Sequence, residues 1–169
     1  MMTIKDSGQR TQFQSGAVRD IQEGKGRCDL LPLDVVAILR EYKFGTDDVS
    51  AQFFRNIHYF VSSGYYNFLA MAIESFVEES NFSSWTDMLL EVAKHFEEGA
   101  KKYGERNWQK GIPVRCYIDS AIRHYLKWQR RDQDEPHNRA VCWNLMCAVW
   151  TCIHMPELNE YAKEGIENE

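Results

Sequence analysis

The sequence predicts an all-α protein built as a helical bundle. Apolar residues recur at helical spacing in several segments, and no stretch alternates between apolar and polar residues for long enough to demand a strand. Prolines stand at positions 32, 113 and 136, where the first turn of a helix tolerates them. With 169 residues, 44% of them hydrophobic and 27% charged, the chain has the size and composition of one globular domain.

Composition argues against several classes of function. The net charge of -5 disfavours a protein that coats nucleic acid, because such proteins usually carry a basic surplus. The longest apolar run, residues 140–153, is shorter than the roughly 20 residues that a bilayer requires, so it predicts a buried helix and no membrane association. Five cysteines without a close CxxC pair predict reduced thiols, and the polar N-terminal sequence lacks the apolar run of a signal peptide. We therefore expect a cytoplasmic protein.

The two ends of the sequence are polar. Residues 1–27 carry several glycines and few apolar residues, which predicts an arm rather than a packed element. A first helix follows, with Pro32 in its first turn and apolar residues at Val35, Val36 and Leu39. The glutamate-rich tail after Pro156 is typical of a solvated, frayed terminus.

The segment 41–90 is rich in phenylalanine and tyrosine and predicts two helices. Apolar residues lie at helical spacing from Phe53 to Val61 and again from Phe68 to Val77. The run Ser62-Ser63-Gly64 separates the two.

Three further helices are predicted in the second half. The first starts near Ser84, which forms a capping pair with Asp87, and stops at Gly104. The next covers residues 113–126, and the last covers residues 136–153. The last helix is apolar on nearly every side, so other helices must surround it, and its cysteines are best explained by core packing.

Some charged residues of these helices admit two interpretations. Glu97 lies beside the apolar stripe with Lys101 one turn on, and Asp119 has Arg123 one turn on with His124 adjacent. Ordinary surface ion pairs would explain both. The alternative is that these side chains face a binding site.

The turn before the last helix carries an acidic cluster. Asp132, Asp134, Glu135 and His137 lie within six residues. Capping of the helix explains one or two of them, whereas the whole set also suits a divalent cation such as Mg²⁺. Asn144 lies two turns after His137 on the same face, where a buried amide must find hydrogen-bond partners, either on a neighbouring helix or in a site.

The loop at residues 101–111 is basic and contains Trp108. Its cations could bind a polyphosphate and its indole could stack on a base, although a solvated loop would look the same. No GxSxG or HExxH motif is present. Acids for a metal, cations for phosphates and an aromatic residue for a base together favour metal-assisted attack of water on a nucleotide polyphosphate.

Two blocks of the sequence carry a family resemblance. They are SGAVRDIQEGKGRCDLLPLDVV (15–36) and FEEGAKKYGERNWQKGIPVRCYIDSAIRHYLKWQRRDQDEPHNRAVCWNL (96–145). They resemble the phage dATP/dGTP diphosphohydrolases, the MazZ-type proteins, which are similar to the all-α nucleotide pyrophosphohydrolases. The resemblance implies that acidic helix residues hold Mg²⁺, or Mn²⁺, and that a (deoxy)purine nucleoside triphosphate is cut to the monophosphate and pyrophosphate.

The resemblance also implies roles for single positions. Glu97, Asp119, Asp134 and Glu135 correspond to metal-binding acids. Glu97, Asp119 and His137 are the expected catalytic residues. The expected nucleotide-binding positions are Lys101, Lys102, Asn107, Trp108, Arg123, His124 and Asn144.

The sequence departs from the family pattern in two places. The segment 41–90 stands where a much shorter connection is expected, so we interpret it as a helical insertion that covers the pocket or forms a subunit contact. The core motif helices then occupy residues 91–155 of the single domain. Pro136 stands where an acid is expected, so one metal ligand is missing.

Three hypotheses follow. The leading one is a Mg²⁺-dependent nucleoside triphosphate diphosphohydrolase, with dATP and dGTP as the expected substrates. The alternative is a helical protein that binds nucleotides or another protein without catalysis, and the third is a purely structural helical oligomer. The abundant apolar surface predicts a homo-dimer or homo-tetramer under each of them.

Overall fold

The computed structural model describes residues 8–21, 28–31, 35, 37, 41 and 48–162. Five long helices account for most of these residues, which confirms the all-α prediction. They are α1 (Val49–Ser63), α2 (Asn67–Glu79), α3 (Trp85–Tyr103), α4 (Val114–Gln129) and α5 (His137–His154). Short 3-10 turns lie at Cys28–Leu30, Asn107–Lys110 and Pro156–Leu158. No helix in the described part of the chain is long and apolar enough to cross a membrane.

Helix ends follow the local sequence signals. At the start of α3 the Ser84 hydroxyl accepts a hydrogen bond from the Asp87 N–H, and the Asp87 carboxylate accepts one from the Ser83 N–H. Gly104 ends this helix at a φ of 92°. Gly64 ends α1 at a φ of 79°, and a Cβ there would lie 2.5 Å from the Cα of Ala162. Both predicted stops are confirmed, and the second also requires glycine for space.

The aromatic helices α1 and α2 share one core with α4. The Phe53 ring stacks on Tyr125 at 4.0 Å, and Phe76 meets Tyr125 edge-on at 5.6 Å. The Glu79 carboxylate at the end of α2 accepts hydrogen bonds from Ser50 and Tyr125, each 2.5 Å long. The two helices are therefore an integral layer of the bundle.

The last helix, α5, runs through the middle of the bundle, as its apolar sequence predicted. Its buried residues lie on several faces, and it packs against α2, α3 and α4. Cys142, Cys147 and Cys152 are all buried in the core as free thiols. Burial raises the pKa of the Cys142 and Cys152 thiols to about 12, so these side chains are inert packing residues.

The prediction of an unpacked arm is wrong for residues 8–21. Strands β1 (Arg10–Gln12) and β2 (Val18–Asp20) pair as an antiparallel hairpin, whose turn contains Gly16 at a φ of 80°. Ala17 is fully buried in the main core. Strands of three residues are too short to display an alternating pattern, so periodicity could not detect them.

Several expectations fall partly or wholly on residues outside the described ranges. Val35, Ala37 and Glu41 are helical, in agreement with the predicted first helix, whereas Pro32, Val36 and Leu39 lie outside the described residues. The same holds for residues 1–7 and 22–27 of the arm and for the tail beyond Ala162.

Candidate active site

A cavity of about 800 Å³ lies between α3, α4 and α5, with the hairpin and the 107–110 turn as further walls. Small residues on α3, Gly99 and Ala100, leave room at this wall. No described residue of α1 or α2 lines this cavity, so the suggestion that these helices cover the pocket is wrong for the described residues. The predicted site residues that line it are Glu97, Lys102, Asn107, Trp108, Arg123, His124, Glu135 and Asn144.

One end of the cavity is aromatic. Phe96 lies between two indoles, with ring centres 5.3 Å from Trp108 and 5.8 Å from Trp143. Trp108 in turn meets Trp150 edge-on at 5.0 Å, which fixes the ring in place. Flat, rigid walls of this kind suit a purine base, which stacks on aromatic side chains.

The hairpin closes one side of the aromatic end. The Asn107 side-chain amide accepts a hydrogen bond from the Val18 N–H at 3.0 Å and donates one to the Val18 carbonyl at 2.8 Å. Ser15 donates to the carbonyl of Gly111 at 2.5 Å. Asn107 thus pairs with the hairpin backbone as a neighbouring strand would, and it positions this wall of the cavity.

Arg19 extends from the hairpin into the space between α4 and α5. Its guanidinium donates to the Asn144 carbonyl oxygen at 2.6 Å and lies 5.1 Å from the centre of the Tyr117 ring. The Asn144 amino group donates to the Ala140 carbonyl at 2.8 Å. Both polar groups of the Asn144 side chain are therefore hydrogen-bonded, and its carbonyl oxygen holds the Arg19 guanidinium in position.

The other end of the cavity is polar and borders a group of potential metal ligands. Ligand atoms of His124, Glu135 and His137 lie within 4.8 Å of one another. The Nδ1 atoms of His124 and His137 are 2.9 Å apart, so one ring donates a hydrogen bond to the other. Burial, reinforced by the neighbouring His137 and by the charges of Arg123 and Lys127, lowers the pKa of His124 well below its usual value, and a neutral imidazole is the form that binds metal.

Asp134 lies behind this group. Its carboxylate is 2.8 Å from His137 Nε2 and accepts a hydrogen bond from Lys127 at 3.0 Å. Although burial opposes its ionisation, these bonds from Lys127 and His137 hold the pKa of Asp134 below its usual range. An ionised Asp134 makes His137 Nε2 the donor, and in the neutral ring this tautomer has the Nδ1 lone pair toward His124. A carboxylate behind a metal-binding histidine fixes the ring in this way.

A second set of potential ligands, Asp132, Asp134 and His137, also lies within 4.8 Å. It shares His137 with the first set, and its Asp132 is bound by Arg130 at 2.5 Å. Of the two sets, the one with Glu135 is the one whose residues line the main cavity, through His124 and Glu135.

The remaining predicted acids are engaged in ion pairs. Glu97 lies at the rim, where Lys101 binds it at 2.5 Å and lowers its pKa by hydrogen bonding. Asp119 is buried, forms an ion pair with Arg123 and accepts a hydrogen bond from the Cys28 N–H at 2.6 Å. In the described part of the chain, neither belongs to a group of closely spaced potential metal ligands.

Sequence reasoning missed an acid and a histidine on α3. Glu98 binds Arg139 of α5 at 2.6 Å, and that guanidinium is almost fully buried. His95, one turn earlier, is 6% exposed and lines the cavity. The sequence did offer one indication that His95 faces inward, since it directly precedes the apolar Phe96. Side chains of adjacent helical residues point only about 100° apart around the helix axis. Arg19 was missed because it lies in the segment interpreted as an arm.

Comparison with known proteins gives a family match for this part of the chain. Residues 83–161 match the family model described as dATP/dGTP diphosphohydrolase, N-terminal. No curated protein and no solved structure gives a significant match. The matched residues comprise α3, α4, α5 and the turns between them, which form most of the cavity wall. Residues 83–161, a little under half of the chain, are therefore similar to the N-terminal domain of dATP/dGTP diphosphohydrolases.

Proposed function

We propose that the chain is a divalent-metal-dependent hydrolase that converts dATP or dGTP to the deoxynucleoside monophosphate and pyrophosphate. The observation that carries this proposal is that one cavity joins an aromatic end to an end with cations, the Glu135 carboxylate and His124, whose ring contacts His137. Its volume of about 800 Å³ is in the range of small-molecule sites. The family match supports the same reaction.

The aromatic end would hold the purine against the surface that Phe96 and the two indoles form together. The triphosphate would then extend along α4, where Arg123 and Lys127 line the cavity one turn apart. Their charges would offset the negative charge that develops on phosphate oxygens during cleavage. Lys102, which forms an ion pair with Asp20 at 3.8 Å, adds a third cation at the hairpin side.

His124, Glu135 and His137 are the residues that would hold the metal. When bound, the ion would supply a polarised phosphate oxygen and a water of lowered pKa. Two neutral imidazoles and one carboxylate fit Mn²⁺ better than Mg²⁺, because Mg²⁺ strongly prefers oxygen ligands. We therefore expect activity with Mn²⁺ to exceed activity with Mg²⁺. Asp134 would act as a positioning residue that orients His137.

A nucleotide panel tests the reaction. The protein is incubated with each deoxynucleoside and ribonucleoside triphosphate, with Mn²⁺, with Mg²⁺ or with chelator, and products are separated by ion-exchange chromatography. We expect dGMP or dAMP together with pyrophosphate, and only with a divalent metal. If no triphosphate yields a monophosphate and pyrophosphate, the proposed function is wrong.

Paired histidine variants test the assignment of the polar end. His137→Gln removes a buried potential ligand, whereas His154→Gln changes an exposed residue at the other end of the same helix. We expect His137→Gln to lower kcat/KM by 100-fold or more, as loss of a metal ligand does, and His154→Gln to retain activity. Equal activities would contradict the assignment. Stabilisation by nucleotides without metal, and no product, would instead support the non-catalytic binding alternative.

The oligomeric state, the phage origin and the cytoplasmic location stay predictions. Trp85 and Leu90 on α3 are 50% and 63% exposed, which is consistent with a subunit contact there. Light scattering of the purified chain measures the oligomeric state directly.

A further inference from the structure

Three buried polar atoms at the aromatic end of the cavity have no hydrogen-bond partner among the described residues. They are Arg19 NH1, His95 Nδ1 and Trp143 Nε1. All three side chains line the cavity, and they come from the hairpin, α3 and α5. A buried polar group without a partner has lost its hydrogen bonds to water and gained none in return, so three in one place indicate a site that a polar ligand completes.

The chemistry of these atoms restricts the ligand. The guanidinium of Arg19 and the indole N–H of Trp143 donate hydrogen bonds and cannot accept them. His95 is neutral, because burial and the charges of Arg139 and Arg19 lower its pKa to about 3. A neutral imidazole offers one donor and one acceptor. The ligand must therefore present acceptors to at least two fixed donors.

The side chains that bear these atoms are held rigidly. Asn144 accepts a hydrogen bond from the other terminal nitrogen of Arg19 at 2.6 Å, and the Tyr117 ring lies beneath the guanidinium. The Trp143 ring contacts His95 at 5.3 Å and Phe96 at 5.8 Å. A rigid set of donors discriminates between ligands more strongly than a mobile one, since it cannot rearrange to suit the wrong partner.

We propose that Arg19, His95 and Trp143 form a base-recognition site for 6-oxopurines, so that the protein prefers guanine over adenine nucleotides. Guanine presents two neighbouring acceptors, O6 and N7, to a pair of donors. Adenine presents N7 beside an amino group, which would place a donor against a donor. Arg19 lies outside the residues matched by the family, so the family match does not assign this role.

This inference rests on the proposed function for its choice of substrate, and wild-type protein tests it with base analogues. We expect kcat/KM for dGTP and dITP to be similar, since both bases carry O6 and N7. The value for dATP should be lower by about tenfold or more, and 7-deaza-dGTP, which lacks N7, should fall toward it. Equal values for dGTP and dATP would overturn the inference and leave the proposed function intact.

Two variants locate the recognition. Trp143→Phe keeps an aromatic ring and removes the N–H, while Arg19→Met removes the guanidinium. Each should lower kcat/KM for dGTP about fivefold or more and change kcat/KM for dATP much less. The ratio of kcat/KM for dGTP to that for dATP should therefore fall. Arg115→Met removes a cation from α4 outside the cavity, where Arg115 pairs with Glu160, and should leave the preference unchanged. A uniform loss for both substrates in Trp143→Phe would contradict base recognition.

Equilibrium binding separates failure of this inference from failure of the proposed function. Calorimetry with dGMP and dAMP, without divalent metal, requires no turnover. If the protein hydrolyses no triphosphate but binds dGMP about tenfold more tightly than dAMP, the recognition site stands and the hydrolase proposal fails. Equal affinities for dGMP and dAMP would overturn the recognition site.

Discussion

Acidification should destabilise the protein through His95. The imidazole lies between α3 and α5, 6% exposed, with Arg139 and Arg19 as the nearest cations. Glu91 and Glu98 flank it on α3 but are engaged with Arg139. The folded protein therefore disfavours a protonated His95, whereas the unfolded chain protonates it freely.

The magnitude follows from the two pKa values. The pKa of His95 falls from 6.5 to about 3 on folding, so the unfolded state binds more protons below pH 6.5. The stabilisation is fully present above pH 6.5 and is lost as the pH falls toward 3. At pH 5 the loss amounts to about 2 kcal/mol. His124, whose pKa is also lowered, adds to the loss in the same direction.

Urea unfolding followed by circular dichroism, at pH 7.5 and pH 5, measures this loss. The comparison of His95→Gln with the wild type isolates the contribution of His95, because both proteins carry the same carboxylates and the same other histidines. His95→Gln should lose about 2 kcal/mol less than the wild type between the two pH values. His154→Gln, a change at an exposed histidine, should behave as the wild type. If His95→Gln and the wild type lose equal stability, the burial of a neutral His95 is refuted.

Three further changes have defined outcomes. Tyr125→Phe should lower the free energy of unfolding in urea by about 1–2 kcal/mol, because the Glu79 carboxylate loses a 2.5 Å hydrogen bond; no change would contradict that bond. Glu98→Ala should cost about 3–5 kcal/mol in the same assay, since the buried Arg139 loses the Glu98 carboxylate at 2.6 Å, which lies closer than that of Glu91, and a cost below 1 kcal/mol would contradict a buried Glu98–Arg139 pair. Ser84→Ala should cost about 1 kcal/mol by loss of the cap of α3, seen as a lower Tm, and an unchanged Tm would exclude the cap.

The helices were predictable from the sequence because their signals are local. Apolar periodicity located α1 to α5, and residues such as Ser84 and Gly64 marked their ends. The hairpin was not predictable in this way, because its pairing depends on contacts far along the chain. Asn107, which holds Val18 from 89 residues away, is an example.

The candidate site could be predicted in composition but not in detail. The aromatic and charged residue types around Trp108 and Glu135 indicated a nucleotide site, and the structure places both on one cavity. The sequence could not show whether Glu97 or Glu98 faces inward. In the structure Glu97 lies at the rim, whereas Glu98 reaches a buried arginine. That choice depends on how α3 is rotated against α5, which only tertiary packing determines.

A crystal structure with Mn²⁺ and a non-hydrolysable dGTP analogue would show directly where the nucleotide and the metal bind. We expect the guanine to lie against Phe96 and Trp143 with O6 or N7 facing Arg19, the phosphates beside Arg123, and the metal at Glu135. A nucleotide bound elsewhere on the molecule, or a metal away from the His124–His137 pair, would contradict it.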